Sequence, residues 1–370
     1  MTTPVPIIDS HIHIFPASEL DTLAWADPSS PLYKQHSLAE YRAAIAPCHD
    51  LVSGFIFLET DRKTDACVSP TASPQDEEEG WKHALQEVSW LARVASGRPR
   101  PGEGHAPEDK DLCLGIVPWA PVPAGADALA RYMDAVREAC VRDGGDDGEA
   151  VWAKVKGFRY LLQDKPARTM LEPAFIEGLR LLGRRGLVFD VGVDLHRRGR
   201  AQLEEVVEMV DRAHEGVPDG EKVTFVLNHL CKPDLTTLHP SDPAFIAWRT
   251  AMFTLSKADN VYMKLSGAFS EMSPALRQQS ANDIFESISG WLAVVVAAFG
   301  PSRIMFGSDW PVCTVGVDTE NGDGDGDGQK DEGAWEKWRK VVDRLCWMSS
   351  MSDEDKKEVF AGTARRAYGV

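Results

Sequence analysis

The chain has 370 residues, of which 43% are hydrophobic, and carries a formal net charge of −17 at pH 7. That length suits one large barrel or two to three small domains, and the apolar fraction supplies an ample core. The acidity argues against nucleic acid and anionic membranes as partners. The seven cysteines, scattered without a CxxC pair, argue against a disulfide framework.

Ile7-Ile8-Asp9-Ser10-His11-Ile12-His13 is an apolar run ending in ionisable groups, and reads as a buried strand. Residues two apart share a strand face, so His11 and His13 aim at one point. Asp9 is expected on that same face, placed to orient an imidazole. Further β-like runs follow at 52–59, 112–119, 155–160, 187–193, 223–229, 261–266 and 303–309. Between them, helical periodicity marks 81–95, 126–142, 173–184, 200–214, 243–257, 282–299 and 336–347. Continuously apolar strands that alternate with helices imply parallel pairing, and eight such strands predict a single (β/α)8 TIM barrel spanning 1–370. Three polar loop insertions, 60–80, 98–111 and 318–333, are expected to be flexible, and the acidity concentrates in 76–79, 143–149 and 318–332. The Gly-Asp repeat at 322–328 opens like an EF-hand loop, but its twelfth position is Ala334, so a solvated loop is expected.

Ionisable residues gather at the C-terminal ends of these strands, where a barrel concentrates its chemistry. Asp309, between a buried strand and Trp310-Pro311, is expected to be a general base, since a buried carboxylate is costly unless it is used. His11, His13 and Asp309 form a candidate site for one divalent ion, zinc by ligand type. His229 is expected to polarise a carbonyl oxygen or ligate that ion. Arg159 faces inward, with Lys156 on the other face, and is placed to grip a substrate carboxylate or hydroxyl. Trp119 and Trp310 are expected to form an apolar wall, and His196 and Lys232 to touch substrate. Glu59, Asp190, Lys264 and Ser266 read as structural, with Lys264 in a surface ion pair.

Four segments carry a family resemblance: Asp9-Ser10-His11-Ile12-His13, Gly157-Phe158-Arg159, Asn228-His229-Leu230-Cys231-Lys232-Pro233 and Phe306-Gly307-Ser308-Asp309-Trp310-Pro311. In this order they resemble the amidohydrolase superfamily, in the amidohydrolase 2 branch that contains sugar-lactone and pyrone-lactone hydrolases. The terminal segment 362–369 is similar to the end of those proteins. The resemblance implies a hydrolase that opens a lactone, with either one divalent ion or metal-independent catalysis. Two-metal members carry a bridging Lys or Glu on strand four and a His on strand five. The fifth run here offers Asp190 and, past it, His196, so a binuclear centre is not implied. A metal-dependent decarboxylase of aromatic acids is the rival, because Asp9 occupies the position of an acid that precedes the first histidine in those relatives. A non-catalytic scaffold is a third reading, which the rim of ionisable groups opposes. The partner is expected to be a small lactone or carboxylic acid, with no nucleic acid or membrane. The protein is expected to be a cytoplasmic monomer or homodimer without a secretory signal.

Overall fold

The computed structural model describes residues 5–64, 73–236, 239–317 and 333–370. Among these, eight strands alternate with eight principal helices. They run in the order β1 Ile7–Ile12, α1 Leu38–Ile45, β2 Val52–Leu58, α2 Pro74–Ser96, β3 Cys113–Val117, α3 Ala126–Gly144, β4 Gly157–Arg159 and α4 Pro173–Arg184. There follow β5 Val188–Val191, α5 Arg200–His214, β6 Thr224–Leu227, α6 Pro243–Leu255, β7 Val261–Leu265, α7 Ala281–Phe299, β8 Ile304–Phe306 and α8 Ala334–Met348.

All strand pairings are parallel, from β1 to β3 and from β4 to β8. The two arcs join at both seams. Ile116 bridges Val155 and Trp119 bridges Arg159, while Ile12 bridges Trp310 on the other side. There the Asp309 amide donates to the His11 carbonyl at 2.9 Å and the His13 amide to the Trp310 carbonyl at 2.7 Å. The ring of strands is thereby closed as a TIM barrel.

The strands are apolar on both faces because both are covered. Ile8, Ile56, Leu58, Val117, Val226 and Met305 fill the interior. Phe55, Phe57, Phe158 and Phe225 face the helices. Gly157 lacks a side chain for a packing reason, since a Cβ there would stand 2.4 Å from the Val188 carbonyl oxygen. The final helical segment closes the N-terminal end of the barrel, with Ala364, Ala367 and Tyr368 in the interior cluster. At that end Lys156 donates to the Gly369 carbonyl at 3.1 Å.

Several elements differ from expectation. Helix α2 begins at Pro74, ahead of the apolar periodicity, because Ser73 and Asp76 form a capping box around a proline in the first turn. Helix α1 carries no periodicity strong enough to predict it, and Ser37 with Glu40 caps it in the same way. Of the three insertions, residues 65–72 and 318–332 lie outside the described residues. The 98–111 segment is tied to the body: buried Glu103 accepts from Arg93 Nε at 2.9 Å, and its carbonyl accepts from Ser37 Oγ at 2.7 Å. Helix α7 is long and apolar enough to cross a membrane by length and composition. Here it packs in the outer layer, where Trp291 sits 4.6 Å from Phe245 and 4.7 Å from Trp248 of α6, measured between rings.

Candidate active site

Strand β1 does not keep a strict two-residue alternation. Asp9 pairs with Phe55 and Ile12 with Phe57, so three residues of β1 span two of β2. This bulge turns the chain over between Asp9 and His11. Asp9 therefore faces the helices, and His11 and His13 face the interior. The two Asp9 oxygens accept from the Ser308 amide at 2.8 Å, Trp335 Nε1 at 2.8 Å and Tyr41 Oη at 3.2 Å. Asp9 thus pins β1 to α1, α8 and the end of β8, and orients no imidazole. Burial raises its pKa above the ordinary value.

At the C-terminal mouth, Asp309 Oδ1 lies 3.5 Å from His11 Nε2, 3.5 Å from His13 Nε2 and 3.7 Å from His229 Nε2. The two β1 imidazoles approach Nε2 to Nε2 at 3.1 Å. The ligand atoms of His11, His229 and Asp309 all fall within 4.8 Å of one another, and all three residues are buried. Asp309 and His229 reach this point by left-handed backbone, with φ of 62° and 55°. Leu230, Cys231 and Lys232 continue at positive φ, a run that costs roughly 1–2 kcal/mol per residue. The fold offsets it with specific bonds, among them Trp248 Nε1 to the Leu230 carbonyl at 2.8 Å and the His196 amide to the Lys232 carbonyl at 2.9 Å.

The outer ring nitrogens settle what the inner ones can do. His13 Nδ1 lies 3.0 Å from the Leu58 carbonyl, which only accepts, so His13 Nε2 presents a lone pair. His229 Nδ1 lies 2.9 Å from Ser266 Oγ, which can hold it the same way. His11 Nδ1 faces Lys264 Nζ at 3.3 Å, so His11 offers its Nε2 lone pair once that lysine is a neutral amine. Burial, then Lys264 and His229, depresses the His11 pKa well below the ordinary value. Burial holds His229 down at about 3. Burial pushes the Asp309 carboxyl up, but His229, His13 and Lys232 outweigh it and leave Asp309 below the ordinary carboxylate value. Neutral imidazoles beside an ionised carboxylate are the protonation states a divalent cation needs. The donor set fits one ion of the zinc type.

Beneath this point lies a buried network of residues expected to be structural. Lys264 is wholly buried, in no surface pair, and donates to Asp190 Oδ1 at 2.7 Å. Asp190 also accepts from Asn228 Nδ2 at 2.7 Å and Tyr368 Oη at 2.7 Å. The signal available in the sequence is parity: Lys264 and Ser266 share one face of an otherwise apolar strand.

Above it opens a cavity of about 500 Å³, lined by His13, His229, Asp309, Arg159, Lys232 and Asp61, with Phe15, Trp25, Leu32 and Pro311 as apolar wall. Arg159 faces in, but Glu59 engages it: Nε meets Oε1 at 2.7 Å and Nη2 donates to the Glu59 carbonyl at 2.7 Å. Lys232 Nζ donates to Gln163 Oε1 at 2.7 Å. Trp119 and Trp310 do not line the cavity. Trp310 sits beside Ile12 on the outer face, packed on Tyr41 at 5.4 Å and His36 at 5.5 Å, and Trp119 packs on Tyr132 at 5.4 Å. His196 also stands apart from the cavity, with Nδ1 2.8 Å from Glu271 Oε2.

Gly267 holds φ of 62°, and a Cβ there would lie 2.3 Å from His229 Nδ1. Gly267→Ala is therefore expected to push His229 off Ser266 and lower kcat/KM about 100-fold. Steady-state kinetics checks this, and unchanged activity would contradict it.

The amidohydrolase family model matches residues 109–370. The chain is 30% identical to L-rhamnono-gamma-lactonase of Scheffersomyces stipitis over 375 residues, covering 98% of each protein. It is 31% identical over 222 residues to L-fucono-1,5-lactonase of Burkholderia multivorans, covering 59% of this chain and 64% of that one. The barrel superposes on a crystal structure of an amidohydrolase from Burkholderia multivorans with bound zinc, at a TM-score of 0.60 and 22% identity, over 99% of both chains. Sequence likeness along nearly the whole length and a shared barrel agree, and this chain belongs to the amidohydrolase family.

Proposed function

We propose that this protein is a hydrolase that opens the ring of a sugar-acid lactone. In this reading water attacks the ring carbonyl and Asp309 takes its proton. The observation that carries the reading is the placement of Asp309 on the cavity floor. Its Oδ1 faces three imidazoles. The carboxylate thus stands on the wall of the cavity where a lactone would sit. The near full-length likeness to a rhamnonolactonase supports the substrate class.

Asp309 accepts one proton as the water oxygen bonds to the carbonyl carbon. The oxyanion collapses, the ring C–O bond breaks, and the leaving oxygen takes that proton back from Asp309. Lys232 supplies a donor on the cavity wall. A divalent ion held by His11, His13, His229 and Asp309 would supply Lewis acidity to the carbonyl and to the water. Zinc in the Burkholderia structure supports such an ion. The rival decarboxylase reading draws on Asp9, two residues before the first histidine. The bulge in β1 aims Asp9 at Trp335 and Tyr41.

The test is a panel of L-rhamnono-, L-fucono- and other aldonolactones alongside aromatic acids, followed by proton release with a pH dye and by CO2 evolution. Turnover of an aldonolactone with proton release is expected. Decarboxylation with no lactone opening would contradict the reading. Metal analysis of the purified protein is expected to find a single equivalent of divalent ion, absent from a His11→Ala/His13→Ala variant that keeps its far-UV spectrum.

A further inference from the structure

The charges that line the cavity are unevenly matched. Arg159 is held by Glu59 at 2.7 Å, and Asp164 by Arg198 at 2.6 Å. Asp27, at the exposed rim, accepts from the Ser29 amide at 2.9 Å and hydroxyl at 2.8 Å. Lys232 meets the neutral Gln163 at 2.7 Å. Asp61 is different. Its carboxylate has no hydrogen bond or ion pair among the described residues, although it lines the cavity. Its backbone is fixed in left-handed conformation at φ 54°, with its carbonyl accepting from the Ala24 amide at 2.8 Å. Burial, then Glu59, pushes its carboxyl up to about 6. A half-buried carboxylate fixed at the cavity wall by its turn is open to a donor on a bound ligand.

We propose that Asp61 determines substrate charge at this site: it accepts hydrogen bonds from the hydroxyls of an uncharged polyhydroxylated lactone and repels lactones that carry a carboxylate. The inference rests on the lactone reading above and narrows it. A ring hydroxyl completes the shell of Asp61. A substrate carboxylate would stand against Asp61, and among the described lining residues Lys232 is the one cation without an acidic partner to offset it. Arg159 is a weaker clamp than its charge suggests, with Nε and Nη2 committed to Glu59.

Binding is tested separately from turnover, by calorimetry with D-glucono-δ-lactam and with the matching glucarolactam, which differs by a terminal carboxylate. The wild type is expected to bind the neutral lactam at least about tenfold more tightly. Asp61→Asn keeps the left-handed turn and removes the charge. It is expected to weaken the neutral lactam about tenfold and to bring the two affinities within about threefold. Asp61→Gly, which also tolerates the turn, should act in the same direction. Equal wild-type affinities, no wild-type binding of either lactam, or variants with unchanged affinities would overturn the proposal. Failure of the wild type to open any lactone would sink the catalytic reading alone, and the ratio of lactam affinities would still decide the role of Asp61.

Discussion

Asp309→Asn is expected to abolish turnover, by a factor of about 1,000 or more in kcat/KM, in a protein that remains folded. Loss of a positioned general base alone typically removes roughly 100- to 10,000-fold. Here the same substitution also removes an anion from a ring of three imidazoles. Asn tolerates the left-handed φ of 62° as Asp does, so the backbone has no reason to move. The environment of Asp309 also sets its pH behaviour. Its folded pKa lies below the ordinary value of 3.8. Its contribution to stability is therefore complete above 3.8 and is lost as pH falls through the lower folded value. Activity should accordingly show no acid limb from this carboxyl near neutrality. Circular dichroism and kinetics on the purified variant decide the matter, and a variant with rates near wild type would remove Asp309 from the mechanism.

Lys264→Met is expected to cost about 3–5 kcal/mol of folding stability, because it leaves the Asp190 carboxylate in the barrel interior without its counter-charge. Asp190 would retain Asn228 and Tyr368 as donors, which places the loss toward the lower end. Replacing both partners, in Lys264→Met/Asp190→Asn, should recover much of it, since the lone charge is the costly element. The lysine also leaves a signature in pH. Burial lowers its pKa to about 8 from 10.5, with Asp190 opposing that shift. The folded state therefore binds this proton more weakly than the unfolded chain does. Its contribution to stability is lost as pH falls through about 8 and is complete above 10.5. That part of the slope between the two values should be missing from Lys264→Met. Denaturant titrations across this range test both statements, and a fully stable single variant would contradict them.

The order of elements is legible because each strand is a short apolar run with ionisable groups at its C-terminal end. That pattern leads to His11, His13, Arg159, His229 and Asp309, which the barrel brings to one mouth. What escapes is set by geometry that strict alternation cannot express. The bulge in β1 reverses the side on which Asp9 lies. Trp310 follows an inward Asp309, so it faces outward onto Tyr41. Asp61 owes its exposure to the cavity to a left-handed turn in a segment that reads only as polar loop. Lys264 is legible by parity, but a lone lysine suggests the surface. Its network partner Tyr368, at the far end of the chain, comes near only when the last helix closes the barrel.

Carbonyl attack by water in this cavity is tested by a single turnover of L-rhamnono-γ-lactone in heavy-oxygen water, read by mass spectrometry. One labelled oxygen is expected in the carboxylate of the product, formed by wild type and not by Asp309→Asn. Label on the hydroxyl that had closed the ring, or equal product from both proteins, would contradict it.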